Sequence, residues 1–426
     1  MTTYIAPWLD ESRWPTVPIR YVARLGTGHT PSRQHPEYWE NCTLPWVTLA
    51  DVGQLRTGMI TYIYTTSEKI SQLGIANSSA VKHPAGTVIL SRTASVGFSA
   101  ILGTAMATSQ DFATWTCSSR LEPRYLLHAL RAMTPDLRRI AMGSTHQTIY
   151  MPDIAELRVP IPPTAEQRRI TDFLDTETAR IDSARTQMLT LSTLLTEREQ
   201  AFLDDAIDRL ADRFGTLPLR RYITAIEQGT SPQCDNLVAT DGEWGVLKVS
   251  AVKAGRFEPN ENKRLPDDIP PVRRYEIRHG DLLVTRANTP KLVGATAVAH
   301  QPRRHLLLCD KIFRIDVDPQ VNKDYIALVA RGRRIRGLCA EASHGTSQSM
   351  ANLKANEIKD WPIPSAPLAM QLDTLRRTSY EFDKLATLRA LVDSQAALLA
   401  ERKQALITAS VTGMLDLSTT RAANLP

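Results

Sequence analysis

The sequence predicts an α+β protein built twice over: two pseudo-symmetric mixed α/β domains separated by two long helices that form an antiparallel coiled coil. Two observations carry that prediction. One is an internal repeat whose parts recur in the same order. The other is a pair of stretches of about forty residues without Pro or Gly, each following a Pro-rich stop, which is longer than a globular helix needs.

The repeat is read from several matched phrases. "GSTHQTIYMPDIAELRVPIPP" at 143–163 returns as "GTSQSMANLKANEIKDWPIPS" at 345–365, both running from Gly to Pro-Ile-Pro. "VPIR" (Val17 to Arg20) returns as "LPLR" (Leu217 to Arg220), and each leads to a turn-like cluster, "GHTPS" and then "GTSPQ". "GTVILSR" ending at Arg92 answers "GDLLVTR" ending at Arg286, and Val96-Gly97 answers Val293-Gly294. "LLTEREQAFL" from Leu194 answers "LLAERKQALI" from Leu398. The shift drifts between about 194 and 204 residues, as it does when loops in each copy lengthen or shorten independently.

Length and composition agree. A chain of 426 residues is too long for one core and comfortable for two or three domains. No apolar run reaches membrane-spanning length, and the opening "MTTYIAPWLDESRW" lacks the layout of a signal peptide, so a cytoplasmic protein without membrane contact is expected. The five cysteines are odd in number and form no C-x-x-C pair, which argues against a disulfide frame or a zinc site and for reduced, mostly buried thiols. The nine histidines lack metal-ligand spacing, so neither a metal nor a cofactor is expected. A net charge of +6 with a pI near 9.1 permits a nucleic-acid partner.

Within each copy, residues of about 17–160 and 217–362 carry short β-like runs such as "TVIL", "DLLVT", "GATAVA" and "FRIDV", punctuated by turn residues. A helical stretch follows the strands in each, "EPRYLLHALRAMTPDLRRIAM" and "NKDYIALVARGRRIRGLCAEA". In the long helices Leu174, Ile181, Met188, Leu195 and Phe202 recur at steps of seven. Leu385, Val392, Leu399 and Leu406 do the same, and Ala184 with Leu191 or Leu388 supplies part of the second seam row. Helices of roughly 60 Å exceed what one small domain can cover, which favours their packing on each other over each packing on its own domain. The expected division is a module at 1–163, a helix at 164–213, a module at 214–365, a helix at 366–413 and a tail at 414–426.

These phrases carry a family resemblance. The Pro-rich joint followed by "AEQRRITDFLDTETARID", the helix ends "LLTEREQ" and "LLAERKQALITASVTG", and the opening "GHTPSRQHPEYWENCTLPWVTLADV" resemble the specificity subunit of type I restriction-modification systems over nearly the whole chain. The resemblance implies two target-recognition domains, each reading one half of a bipartite, asymmetric double-stranded DNA target. It also implies long helices that fix the spacing and dock adenine methyltransferase subunits, two in number, together with a translocating restriction subunit. The second joint departs from the pattern, since "SAPLAMQLDTLRRTSYEF" has lost the usual Glu-Gln-Arg and Leu-Asp.

Candidate DNA contacts lie on loops after strands. In "SRTASVG" and "TRANTPKLVG", Arg92 and Arg286 suit guanine or phosphate, Asn288 suits adenine, and Thr93, Ser95, Thr289 and Lys291 are secondary candidates. Because both copies place an Arg at the matched position, a shared role in phosphate anchoring is favoured over base reading. In the opening phrase the candidates are Thr145, His146 and Gln147, matched by Thr346, Ser347 and Gln348, with Gly143 and Gly345 read as helix C-caps. Arg331, Arg333, Arg334 and Arg336, with Arg131, Arg138 and Arg139 in the first copy, form a basic helical face suited to phosphates.

Catalysis is not expected in this chain. There is no G-x-x-x-x-G-K-[ST] phosphate loop and no Asn-Pro-Pro-Tyr-like methyltransferase turn, and "PDIAELR" keeps its acids too close together for a nuclease set. The expected function is DNA sequence recognition for catalytic partners. A coiled-coil protein adaptor without DNA specificity is the alternative.

Overall fold

In the computed structural model, residues 7–143, 147–342 and 351–417 are described. The two copies share one sheet order. In the first, Ala23–Thr27, Phe112–Cys117, Val88–Ser91, Ser99–Leu102 and Tyr62–Ile63 form a five-stranded sheet in that spatial order. In the second, Ile223–Gln228, Ile312–Val317, Leu282–Thr285 and Thr296–Val298 repeat it without the fifth strand. Each has a companion three-stranded sheet: Glu68–Ile70, Leu44–Val47 and Ala107–Thr108 in one, Asn262–Arg264, Gly245–Leu247 and Leu306–Leu307 in the other.

The matched phrases "GTVILSR" and "GDLLVTR" supply the inner strands, every residue of which is buried. They read as unbroken apolar runs because both faces are covered. Val88 and Leu90 enter a core with Tyr125, Leu126 and Ala129 of the helix Pro123–Ala132, while Ile89 faces a different core with Val47, Ala100 and Phe112. The second copy divides Leu282 and Val284 from Leu283 in the same way. The helical stretch expected after the strands is broken in both copies, into Pro123–Ala132 and Thr134–Ile140, and into Lys323–Val329 and Arg333–Ala342. Pro135 sits in the first turn of its helix, where a missing N–H leaves nothing unpaired that was paired before.

The joint phrases are partners in space. Thr16–Pro18 pairs antiparallel with Arg158–Pro160, and Thr216–Pro218 with Pro362–Pro364, so "VPIR" meets the residues that lead into the Pro-Ile-Pro stop of its copy and "LPLR" meets the stop itself. A buried glutamine locks each joint. Gln167 donates from Nε2 to the carbonyls of Arg120 and Pro162, both at 2.9 Å, and accepts from the Glu122 N–H at 2.8 Å. Gln371 donates to the carbonyls of Gln320 and Ala366 and accepts from the Asn322 N–H. The second joint has therefore kept the glutamine of its Glu-Gln-Arg, with Met370 and Leu372 as the changed flanks. The lock explains why: its three partners are main-chain groups, two in the turn before the module helix and one in the Pro-rich stop, and both copies form them.

The long helices are Thr164–Phe214, of 51 residues, and Leu368–Val411, of 44 residues. No described helix is long and apolar enough to cross a membrane. The chain divides into two compact units, one of residues 1–190 and 393–426 and one of residues 191–392, so each unit combines one module with part of both long helices. The chain passes from the first unit to the second along one helix and returns along the other.

In the first unit Ile170 and Leu174 share a core with Ile407 and Val411, while Asp182 pairs with Lys403; the helix segments run antiparallel. In the second, Leu203, Ile207 and Leu210 share a core with Met370, Leu375 and Phe382, while Glu199 meets Arg389 at 3.6 Å. Of the seven-residue rows, Leu174, Ile181 and Leu385 are buried, while Met188, Leu195, Phe202, Val392, Leu399 and Leu406 are half-buried. Leu191 and Leu388, expected in the second row, are 41% and 42% exposed. Two helices in contact cover only a narrow stripe of each other, and most burial comes where the helix ends join the modules.

The five cysteines are free thiols. Cys309 and Cys339 are buried and the other three are half-buried, fewer than expected. Burial pushes the Cys117 thiol up to about 12 and the Cys309 and Cys339 thiols up to about 11, which leaves little reactive thiolate at neutral pH.

Candidate nucleic-acid interface

The strand Val88–Ser91 ends in a loop that a buried hydroxyl closes. Ser91 Oγ donates to the Ser95 carbonyl and accepts from the Phe98 N–H at 3.0 Å, while the Gly97 N–H returns to the Ser91 carbonyl at 2.9 Å. Thr285 closes the longer loop of the second copy alike. Its Oγ1 donates to the Leu292 carbonyl and accepts from the Ala295 N–H, and Gly294 N–H reaches the Thr285 carbonyl. Gly97 and Gly294 have φ of 91° and 75°, the left-handed turn that makes the repeated Val-Gly pair legible as a repeat. The hydroxyl staple carries only a Ser-to-Thr match and was not singled out in the sequence.

Against these loops lies the other repeated phrase. Thr93 bridges Thr148, the Ala94 N–H donates to the Gln147 carbonyl at 2.8 Å, and the Ile149 N–H to the Arg92 carbonyl at 2.8 Å. In the second copy Ala287–Asn288 pairs antiparallel with Ala351–Asn352, and the Leu353 N–H reaches the Arg286 carbonyl at 2.8 Å. Two phrases far apart in sequence thus form one polar rim in each unit.

On that rim Gln147, Thr289 and Lys291 are exposed, and Arg92, Thr93, Ser95, Arg286 and Asn288 are half-buried. Arg92 donates from Nη1 to the Ile149 carbonyl at 3.3 Å, and its Nε is buried with no acceptor among the described residues. Arg286 directs Nη1 towards the Asp310 carbonyl at 3.5 Å. Asn288 accepts the Thr289 N–H, which holds its amide close to the main chain. Thr145, His146, Thr346, Ser347 and Gln348 lie outside the described residues, as does Gly345. Gly143 is not a helix cap: the preceding helix stops at Ile140, Ala141 is extended, and Met142 and Thr148 exchange hydrogen bonds of 2.9 and 2.8 Å around the intervening loop.

The basic helical face is not one surface. Arg131 is tied to the Ile60 carbonyl at 2.7 Å, and its burial lowers its pKa. Arg331 pairs with Glu199 at 3.0 Å over the Phe382 ring, and burial lowers its pKa against that pairing. Arg336 clamps the carbonyls of Val293 and Lys291 at 2.7 and 2.8 Å, and so shapes the rim without facing outward. These three arginines are structural because the guanidinium fork meets internal acceptors, main-chain carbonyls for Arg131 and Arg336 and the Glu199 carboxylate for Arg331. Arg333, 3.4 Å from Asp204, and Arg334 line a cavity of about 290 Å³ with Asp204, Ile207 and Asp208 of the long helix. Arg138 and Arg139 are exposed.

Among the described residues no cluster of three or more His, Cys, Asp or Glu could hold a metal. The geometry is that of two sets of amides, hydroxyls and cations, exposed or half-buried, on loops held by short strands, suited to contacting a polar, anionic surface.

Comparison with known proteins agrees. Residues 11–191 match the type I restriction modification DNA specificity domain. The specificity subunit of the Escherichia coli type I restriction enzyme EcoEI is 31% identical over 36% of this chain and 26% of its own. That of EcoKI from E. coli strain K12 is 25% identical over 65% of this chain and 61% of its own, so the matched region spans less than two thirds of either relative. A solved structure from a study of type I R-M complex assembly and conformational transition shares the fold, with a TM-score of 0.66 at 17% identity over 94% of this chain and 98% of the other. Residues 11–191 are thus similar to a type I restriction-modification DNA specificity domain, and the two-module fold with its pair of long helices is shared with the solved structure of the type I R-M system over nearly the whole chain.

Proposed function

We propose that this chain is the non-catalytic DNA-reading subunit of such a system. Each module reads one half of a bipartite, asymmetric target in double-stranded DNA, and the chain positions two adenine methyltransferase subunits and a restriction subunit there. The observation that carries the reading is the duplicated rim: one main-chain scaffold in both units, with different side chains on its tips. A scaffold used twice with diverged tips suits two readers of unlike half-sites. Exposed leucines one turn apart on the long helices of the second unit, Leu191 with Leu194 and Leu388 with Leu391, give an apolar surface for a protein partner.

Exchange of residues 17–160 for the matching module of a related subunit is expected to change one half of the methylated motif in host DNA and leave the other intact. A motif changed in both halves, or in neither, refutes the two-reader proposal. Arg286→Ala is expected to weaken binding to all sequences and to flatten the salt dependence by about one unit in log–log slope, as loss of one phosphate contact does. Unchanged affinity with an altered motif would assign this Arg to a base instead. The adaptor alternative predicts no steep salt dependence at all.

A further inference from the structure

A turn beside each rim is also present twice. Ser109 to Asp111 precedes the strand Phe112–Cys117, and Cys309 to Lys311 precedes Ile312–Val317. The Arg92 N–H donates to the Asp111 carbonyl and the Arg286 N–H to the Lys311 carbonyl, both at 2.8 Å, so each turn is fixed to the anchor Arg of its rim.

The repeated "GHTPS" and "GTSPQ" loops close over these turns. A Cβ on Gly28 would lie 1.8 Å from the Thr108 carbonyl oxygen, and one on Gly229 would lie 1.8 Å from that of Leu308. Only glycine permits that approach. A hydroxyl from each loop then holds the side chain at the tip. Thr30 Oγ1 donates to Gln110 Oε1 at 2.7 Å, while Ser231 Oγ donates to Asp310 Oδ1 and accepts from the Asp310 N–H at 3.3 Å.

Glycine, hydroxyl and turn are the same in the two units. The tip differs, an exposed amide at 110 and a half-buried carboxylate at 310.

We propose that Gln110 and Asp310 are matched base-reading residues, Gln110 taking adenine in one half-site and Asp310 taking cytosine in the other. The assignment rests on the proposed function. With its oxygen held by Thr30, the Gln110 amide presents Nε2 to adenine N7, and its remaining lone pair faces the N6 amino group. Asp310, with one oxygen held by Ser231, presents the other to the cytosine N4 amino group. A carboxylate on a surface that meets DNA is repelled by phosphates, and becomes favourable where it faces a base-edge donor. A fixed side-chain geometry is what a reader requires, and both tips have it.

The test uses the full chain co-expressed with its own methyltransferase subunits in a host without other adenine methylation, with the methylated motif mapped across the genome. Asp310→Asn keeps the shape and replaces an acceptor by a donor. Methylation of sites carrying cytosine at one position of one half-site is expected to fall about tenfold relative to other bases there, with all other positions unchanged. Gln110→Glu is expected to alter one position of the opposite half-site. Wild-type base preferences in both variants, or a uniform loss at every position, overturn the assignment while the proposed function stands. A wild-type complex that methylates no bipartite motif overturns both.

Discussion

Asp182→Ala is expected to lower the stability of the first unit by about 3 to 5 kcal/mol, the range for removing one partner from a buried ion pair. Lys403 places its ammonium 2.8 and 2.6 Å from the two carboxylate oxygens of Asp182, and both side chains are largely buried, 15% and 9% exposed. Burial pulls the pKa of Lys403 down, Asp182 holds it up, and Arg131 and Arg185 add like charge. Without Asp182 one carboxylate is lost from among three cations. Hydrogen exchange of the full chain should show faster opening throughout residues 1–190 and 393–417, with the second unit unchanged. The double replacement Asp182→Leu with Lys403→Met should recover most of the loss, since an apolar pair carries no desolvation cost. A change below about 1 kcal/mol in the single variant would show that water reaches the pair and screens it.

Gln167→Leu should be nearly as damaging although no charge is involved. The substitution preserves bulk but leaves the carbonyls of Arg120 and Pro162 and the N–H of Glu122 without their partner. Each buried group left unpaired costs about 1 to 3 kcal/mol; two of the three groups are only part-buried, so the low end of the sum, about 3 kcal/mol, is expected. Gln371→Leu should cost a similar amount in the other unit, because its three partners are the same kind of main-chain group. Urea titration followed by hydrogen exchange in each unit separates the two effects, since a chain of two units need not unfold in one step. If Gln371→Leu proved harmless while Gln167→Leu did not, the second joint would be held by its apolar contacts alone.

The duplication, the middle strands and the long helices were legible in the sequence because each depends on a local pattern. Val88 to Leu90 and Leu282 to Val284 are apolar without interruption because both faces of the strand are covered, and the long helices announce themselves by the absence of Pro and Gly. The anchors Arg92 and Arg286 could be named because they end a recognisable strand.

What lies next to those anchors is a different matter, since contact between segments leaves no trace in either segment alone. Folding pairs Thr93 with Thr148, and brings Thr30 to Gln110 and Ser231 to Asp310, across 55, 80 and 79 residues of sequence. The arginines show the same limit. Arg131, Arg331, Arg334 and Arg336 look equivalent on a helical wheel, yet three meet internal carbonyls or a carboxylate and the fourth lines a cavity. Spacing along a helix specifies direction; what stands in that direction is decided by packing, and for a guanidinium that choice separates a structural clamp from a free charge.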